Sequence, residues 1–369
     1  MRKALIVVPT YNEQGSIEKL INGIFKQQKI TDKWEINILV IDSYSKDETA
    51  EIVKKLKKQF SHLYIIETAK EGLGKAYISG FKYGLEKMNP YVIFEMDADL
   101  SHNPDDIPRF LKKIEEGADF VVGSRYIKGG SIPSNWGIHR KFLSIFGNFI
   151  IKFGFMKLKV ADWTSGYRAI KAWLINNALD HIKNYSGYVF QVAFLDFALK
   201  NNAKVTEVPI NFKERRWGVS KINAIQYIVN SLLYVLFNSS FIKFVIVGMI
   251  GFAIDFGISY IGIEIIHKAV WLSTLISTEI AIVSNFLLNN FWSFSHKKID
   301  HHFVSYIFNF IKFNLVSSGS ILIQTLGIQL LVMFLGKQWW ILYKIFVIFF
   351  LIIPYSYILY NKVIWKEKN

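Results

Sequence analysis

The last third of the chain constrains its structure most. From Phe241 to Trp365, long apolar runs are broken mainly by short polar clusters. Four runs, near 241–265, 270–291, 313–335 and 339–360, approach the roughly 20 residues that carry a helix across the hydrocarbon core of a bilayer. Lipid offers no hydrogen-bond partner to bare backbone, so such runs fold as helices. From Met1 to about Lys221, charged and apolar residues mix as in a water-facing domain. The expectation is a globular domain over 1–221, a connecting segment over 222–240, and an all-α, four-helix membrane domain over 241–369.

Basic residues orient the spans. His296, Lys297, Lys298, His301 and His302 fill the loop between the second and third, with Lys312 just beyond, and Lys362, Lys366 and Lys368 close the chain. The other two loops offer only Lys268 and Lys337. Cytoplasmic loops carry the excess of Lys and Arg, which predicts a multi-pass protein of the cell membrane with both termini in the cytoplasm. Met1-Arg2-Lys3 leads directly into the strand-like Ala4–Val8 without the apolar core of a signal peptide, so the globular domain is also expected on the cytoplasmic side. The net charge of +15 is scattered, with no zinc-ligand spacing or RNA-binding aromatic signature, and points to anionic lipid or phosphate rather than nucleic acid. The absence of cysteine excludes a disulfide framework, a thiol nucleophile and a cysteine-ligated metal.

The first hundred residues alternate β-branched runs (Ala4–Val8, Ile36–Ile41, Tyr64–Glu67, Tyr91–Met96) with helix-period stretches (Ile17–Gln27, Thr49–Phe60, Gly74–Met88). This order predicts a mostly parallel sheet covered on both faces, with ligands at the carboxyl ends of its strands. The polar groups that follow the strands are therefore the candidates. Asp97-Ala98-Asp99 ends the most apolar strand, and two carboxylates there suit Mg²⁺ or Mn²⁺ bridging a diphosphate. Pro9–Glu13 follows the first strand as a nucleotide-binding loop would, or forms a turn in which Asn12 or Ser16 caps the next helix. Asp42 ends the second strand, where a carboxylate can accept from a base or ribose, and Asp47 and Thr49 shape the loop beyond it. Gly72-Leu73-Gly74-Lys75 is a weak phosphate-cradle signal. Two apolar stretches of helical period, Phe142–Phe153 and Ile222–Phe237, read as helices lying in the bilayer interface, the first spanning about 140–156.

These pieces together resemble glycosyltransferase family 2, and within it the dolichol-phosphate mannose synthases. The resemblance rests on VPTYNE (8–13), IDSYSKDET (41–49), EGLGKAYISG (71–80), MDADLSHNP (96–104), GSRY (123–126), RKFLS (140–144), DWTSGYRA (162–169), GYVFQ (187–191) and EVPINFKERRWGVSK (207–221). It implies a GT-A fold, which is α/β, Rossmann-like and mostly parallel. The implied reaction passes mannose from GDP-mannose to a dolichyl or polyprenyl phosphate with inversion and a divalent metal. UDP-glucose is the rival donor. The family's roles would put Pro9, Tyr11, Glu13, Ile41, Asp42, Lys75, Asp97, Ala98, Asp99 and Arg125 beside the donor, with Arg125 among the residues that meet phosphate. Asp97, Asp99 and Ser101 would surround Mg²⁺ or Mn²⁺. Asp99, Arg125, Arg215 and Lys221 would carry catalysis, and Arg140, Ser144, Arg215 and Lys221 would meet the acceptor phosphate. Ser43 stands where relatives carry the second Asp of this loop, and Ala193 where they often carry an acidic residue. A processive polysaccharide synthase is disfavoured because its QxxRW motif is absent, although Arg216-Trp217 is superficially similar.

The membrane domain resembles the GtrA-like domain fused to some synthases of this type. Asp255, Glu264 and Glu279 fall in or near its spans, where ionisable groups are costly. They are expected to seal helix pairs. The domain would anchor the enzyme or join it into a homo-oligomer, or else move the lipid-linked sugar across the bilayer.

Overall fold

The computed structural model describes residues 1–185, 187–214, 224–297, 299 and 302–365. They form two compact units, Met1–Tyr234 and Val235–Asn369. In the first, β1 (Arg2–Thr10), α1 (Ile17–Gln27), β2 (Trp34–Asp42), α2 (Thr49–Lys57), β3 (Leu63–Glu67), α3 (Leu73–Lys87) and β4 (Val92–Glu95) alternate as the pattern predicts. Then come α4 (Ile107–Glu115), β5 (Phe120–Ser124), α5 (Ile138–Gly154), β6 (Arg168–Lys171), α6 (Ala172–Ile182), α7 (Gly187–Lys200), β7 (Val205–Pro209) and α8 (Ala224–Asn238). Among the described residues the strands make one sheet in the order β3-β2-β1-β4-β6-β5-β7. It is parallel except for β6, which runs antiparallel to both β4 and β5. Ala4 to Val8 and Ile38 to Ile41 are buried throughout, as strands covered on both faces must be.

Two glycines bring α3 onto the sheet. A Cβ at Gly80 would lie 2.5 Å from Val7 Cγ1, and one at Gly84 would lie 2.4 Å from Leu5 Cδ2. The register pairs Thr10 with Asp42 and Val7 with Glu95, so β1, β2 and β4 deliver their following loops to one edge.

Helix α5 confirms the helical period of 142–153. Phe142, Ile145, Phe146, Phe149 and Phe153 are exposed, while Asn148 and Ile151 are buried. In α8, Val229, Leu232, Leu233, Leu236 and Phe237 are exposed, and Tyr234 turns inward to donate to Asp196 Oδ2 at 2.9 Å.

The second unit contains α9 (Ser240–Tyr260), α10 (Val270–Leu288), α11 (Phe303–Leu335), α12 (Trp340–Val347) and α13 (Ile353–Leu359), extended by π-helical turns. Among the described residues, four helical stretches are long and apolar enough to cross a membrane: Ser240–Ile265, Val270–Ser293, Phe303–Leu335 and Leu342–Ile364. The third begins well before Phe313, where apolarity alone placed its start. Within this stretch Asn309 Nδ2 satisfies itself on Ser305 O at 2.8 Å.

Small and hydroxyl-bearing residues join the spans, as expected where lipid removes the hydrophobic drive between helices. Ser277 and Thr278 donate to Asp255 Oδ1 at 2.7 and 3.1 Å, and Ser259 meets Ser277 at 2.6 Å. A Cβ at Gly251 would lie 2.3 Å from the Asn285 amide. Ser317 meets Tyr360 and Ser320 meets Ser356, at 2.7 and 2.9 Å. Asp255 thus ties α9 to α10.

Candidate active site

The chain leaves β4 through a tight acidic turn. Leu100 is held at φ 64°, a conformation a bulky side chain rarely adopts, and this turns Asp99 and Ser101 inward. Asp99 Oδ1 accepts from the Ser101 N–H at 3.0 Å. Asp97 is half-buried and gripped on both oxygens: Tyr77 donates to Oδ1 at 3.3 Å, and His102 Nε2 faces Oδ2 at 3.8 Å. The Asp97 N–H donates to His102 Nδ1 at 3.1 Å, which leaves the imidazole proton on Nε2, toward the carboxylate. His102 is itself buried and stacked on Tyr167, ring centroids 4.9 Å apart.

Ser101 Oγ is buried and has no hydrogen-bond partner among the described residues. An orphaned hydroxyl beside two carboxylates is a hard-oxygen set that suits Mg²⁺ or Mn²⁺. Among the described residues no group of three His, Cys, Asp or Glu side chains converges as a metal cage.

Directly beneath the turn, Glu95 is fully buried opposite Arg168 in the β4–β6 register. Burial pushes its carboxyl up to about 7 against the pull of Arg168 and the Gln191 amide. Arg168 is held by the carbonyls of Ser165, Gln191 and Trp163.

The loops after β1 and β2 lock together. Asp42 is buried, and Thr10 Oγ1 and Ser45 Oγ donate to its Oδ1 at 2.9 and 2.6 Å while the Ser45 N–H donates to Oδ2 at 2.8 Å. Asn12, at φ 58°, accepts from the Lys46 N–H and donates its own N–H to Ser45 Oγ. The Glu13 N–H donates to Thr49 Oγ1. Ser16 precedes α1 without capping it, its hydroxyl turning back to Glu13. Asp47 shapes its loop by accepting from the Thr49 N–H at 3.1 Å. Pro9 and Tyr11 stay partly exposed at this edge, with Lys70 Nζ 3.6 Å from the Tyr11 ring centroid, while Ile41 and Ala98 are buried behind it. Lys75, in the first turn of α3, donates through Nζ to Lys183 O at 2.8 Å.

The third wall is built on Asp162, which sequence reasoning did not assign. Arg125, at the end of β5, donates to it through Nε at 2.7 Å, Nη2 at 2.8 Å and its backbone N–H at 3.1 Å. Burial alone would raise the Asp162 pKa, but Arg125 and the surrounding N–H donors outweigh it and hold the carboxyl below its usual value. Arg125, expected to meet a phosphate, is thus already charge-balanced. Its guanidinium also lies 5.6 Å from the Phe212 ring centroid, and Phe212 packs edge-on to His102, so this wall abuts the acidic turn. Ser144 Oγ meets the Tyr126 hydroxyl at 2.6 Å, and exposed Arg140 pairs with Glu214 at 2.8 Å. The Lys213 N–H donates to Ser101 O at 3.2 Å, tying Lys213 to the turn. Arg215 and Lys221 lie outside the described residues.

Tyr77, His102, Asn148 and Asp162 complete this framework. Tyr77, His102 and Asp162 belonged to the quoted motifs without a role attached, and Asn148 lay in the apolar stretch 142–153 outside them.

Residues 5–182 match the glycosyl transferase family 2 domain, and residues 243–365 match the GtrA/DPMS transmembrane domain. Among curated relatives, the polyprenol monophosphomannose synthase of Mycolicibacterium smegmatis is 34% identical, over 60% of this chain and 82% of its own. The undecaprenyl-phosphate mannosyltransferase of Micrococcus luteus is 35% identical, over 60% and 88%. The dolichol-phosphate mannosyltransferase of Pyrococcus furiosus is 28% identical, over 79% and 81%. Among solved structures, glucosyl-3-phosphoglycerate synthase of Mycobacterium tuberculosis in complex with uridine diphosphate has a TM-score of 0.47 at 17% identity, over 64% of this chain and 79% of that one. With a GT-A-like sheet and four spanning-length helices in one molecule, the chain is a membrane glycosyltransferase and belongs to glycosyltransferase family 2, with a C-terminal GtrA/DPMS transmembrane domain.

Proposed function

We propose that the chain transfers mannose from GDP-mannose to a dolichyl or polyprenyl phosphate at the cytoplasmic membrane face, with inversion at the anomeric carbon. One observation carries the reading. The acidic turn, with its orphaned Ser101 hydroxyl, adjoins the wall that ends in Ser144 on a helix with an exposed apolar face. The lipid-phosphate mannosyltransferases among the relatives support the sugar and the acceptor class.

The acceptor needs no general base, because a phosphate monoester with a second pKa of about 6 is largely ionised at neutral pH. Its oxygen attacks the anomeric carbon as the bond from that carbon to the diphosphate breaks, and the electron pair leaves with GDP. Asp97, Asp99 and Ser101 would hold Mg²⁺ or Mn²⁺, which when bound neutralises charge on the departing diphosphate. Tyr77 and His102 fix the direction of the Asp97 carboxylate, so little reorganisation is needed on donor binding. Asp42 stiffens the nucleoside loop, leaving Pro9, Tyr11 and Glu13 to face the base and ribose. Since Asp162 neutralises Arg125, this reading gives Arg125 the task of shaping the wall and assigns phosphate charge to Arg215 and Lys221.

The deciding experiment offers the purified chain, Mg²⁺ or Mn²⁺ and prenyl phosphate a panel of labelled sugar nucleotides. GDP-mannose should yield a mannosyl lipid and free GDP. Turnover of UDP-glucose in its place would overturn the donor assignment.

A further inference from the structure

Helix α5 meets different partners on its two faces. The outer face carries the exposed Phe142, Phe146, Phe149 and Phe153, with successive ring centroids 5.2, 6.4 and 4.3 Å apart. Lys141 and Lys152 lie on the same helix beside this strip, and Lys157 and Lys159 follow. A chain with four spanning-length helices is held at a bilayer, and an aromatic strip with lysine flanks fits the interface of one.

The inner face is polar at its centre. Asn148 is 4% exposed and uses both ends of its amide. Its Nδ2 donates to Ser144 O at 2.9 Å and to Thr164 Oγ1 at 3.1 Å, and its Oδ1 accepts from the Trp163 N–H at 2.8 Å. Thr164 Oγ1 also accepts from Arg125 Nη2 at 2.7 Å. One helical turn earlier, Ser144 meets Tyr126. A helix with an exposed apolar face is therefore joined to the Arg125–Asp162 pair through the Thr164 hydroxyl, with the Trp163 N–H as a second tie to the same loop.

We propose that Asn148 is a positioning residue that couples the seating of α5 in the lipid surface to the geometry of the Arg125–Asp162 wall. The proposal rests on the function given above. A buried amide with its donor and acceptor both engaged has one orientation, so a displacement of α5 must move the 162–165 loop or break these bonds. Misplacing a wall of the site by about 1 Å costs on the order of 100-fold in rate. A lipid-seated α5 would thus set acceptor turnover without touching the nucleotide loops, which Asp42 holds independently. A network of contacts suggests coupling, and only a measured coupling energy establishes it.

The test is a double-mutant cycle on the full-length chain in lipid nanodiscs, with GDP-mannose, Mn²⁺ and prenyl phosphate. One arm is Asn148→Ala, and the other is Phe146→Ser with Phe149→Ser. The lipid-face change should lower kcat about tenfold with Asn148 present and less than about twofold once Asn148 is alanine. GDP affinity by calorimetry should be the same in all four proteins, which a merely structural loss would not leave intact. Independent, multiplying losses in kcat, or a parallel loss of GDP binding, would overturn the coupling. Should Asn148→Ala fail to fold, Thr164→Val cuts the same link from the other side and is read identically. An inactive wild-type chain would instead sink the proposed function, whereas independent losses in an active one sink only the coupling.

Discussion

Leu100 in its left-handed conformation is the local cost of an acidic turn that points Asp99 and Ser101 inward. Backbone strain of this kind, of order 1–3 kcal/mol, persists where the surroundings over-determine it, and here Tyr77, His102 and Tyr167 brace the turn. Asp99→Asn keeps the shape and the bond from Ser101 but removes a charge from the metal set. Turnover should fall by about 100-fold or more while the melting temperature stays within a few degrees. Retained metal-dependent turnover would remove Asp99 from that set. Asp162 makes a different prediction. Its carboxyl titrates below the ordinary 3.8 when folded, so its stabilisation is complete above that value and is lost as pH falls through the lower folded value. Asp162→Asn removes the carboxylate that balances the charge of the buried Arg125, at a cost of about 3–5 kcal/mol near neutral pH. The gap in melting temperature between wild type and variant should narrow below pH about 4. A constant gap down to pH 3 would show that the pair is not what Asp162 contributes. Asp97 and Asp99 were legible because both sit in one short run after an apolar strand. The role of Asp162 was not, because its partner is Arg125, 37 residues earlier, and only the fold brings them together.

At the scale of elements, hydrophobic period carried the most information. The strands and helices of the first hundred residues, the two-faced α5 and the spans of the second unit all follow from spacing of apolar residues. The antiparallel insertion of β6 between β4 and β5 does not, because a buried four-residue strand reads the same in either direction. The close approach of α3 to β1 was equally hidden, since glycine in a helix ordinarily signals weakness rather than contact. At Gly80 any side chain would meet Val7 at 2.5 Å on β1, an interior strand of the sheet that leads into the Pro9–Glu13 loop. Gly80→Ala should therefore destabilise, despite the better helix propensity of alanine, by about 1–3 kcal/mol through overpacking. Denaturant titration of the purified chain measures this. A stability equal to or above wild type would mean that the helix and strand can part without penalty.

The whole molecule joins a unit whose chemistry lies on one sheet edge to a unit whose surface is largely apolar and lipid-sized. The abrupt change in composition near residue 240 made that division readable, whereas the hydroxyl and amide contacts that join the spans needed the structure. Orientation rests on charge. If the Lys- and His-rich loop after the second span is cytoplasmic, a site on it must share a compartment with the first unit, and the two lysine-poor loops must face the other way. The chain has no cysteine, so single substitutions report their own position without background. Exposed Lys29 in the first unit and exposed His302 in the basic loop should, as cysteines, react with a membrane-impermeant maleimide only in inverted vesicles. Lys268→Cys and Lys337→Cys should react only in right-side-out vesicles. Labelling of His302→Cys from the outer face while Lys29→Cys stays protected would require an odd number of crossings between them, and would remove one of the first two helices from the set of spans.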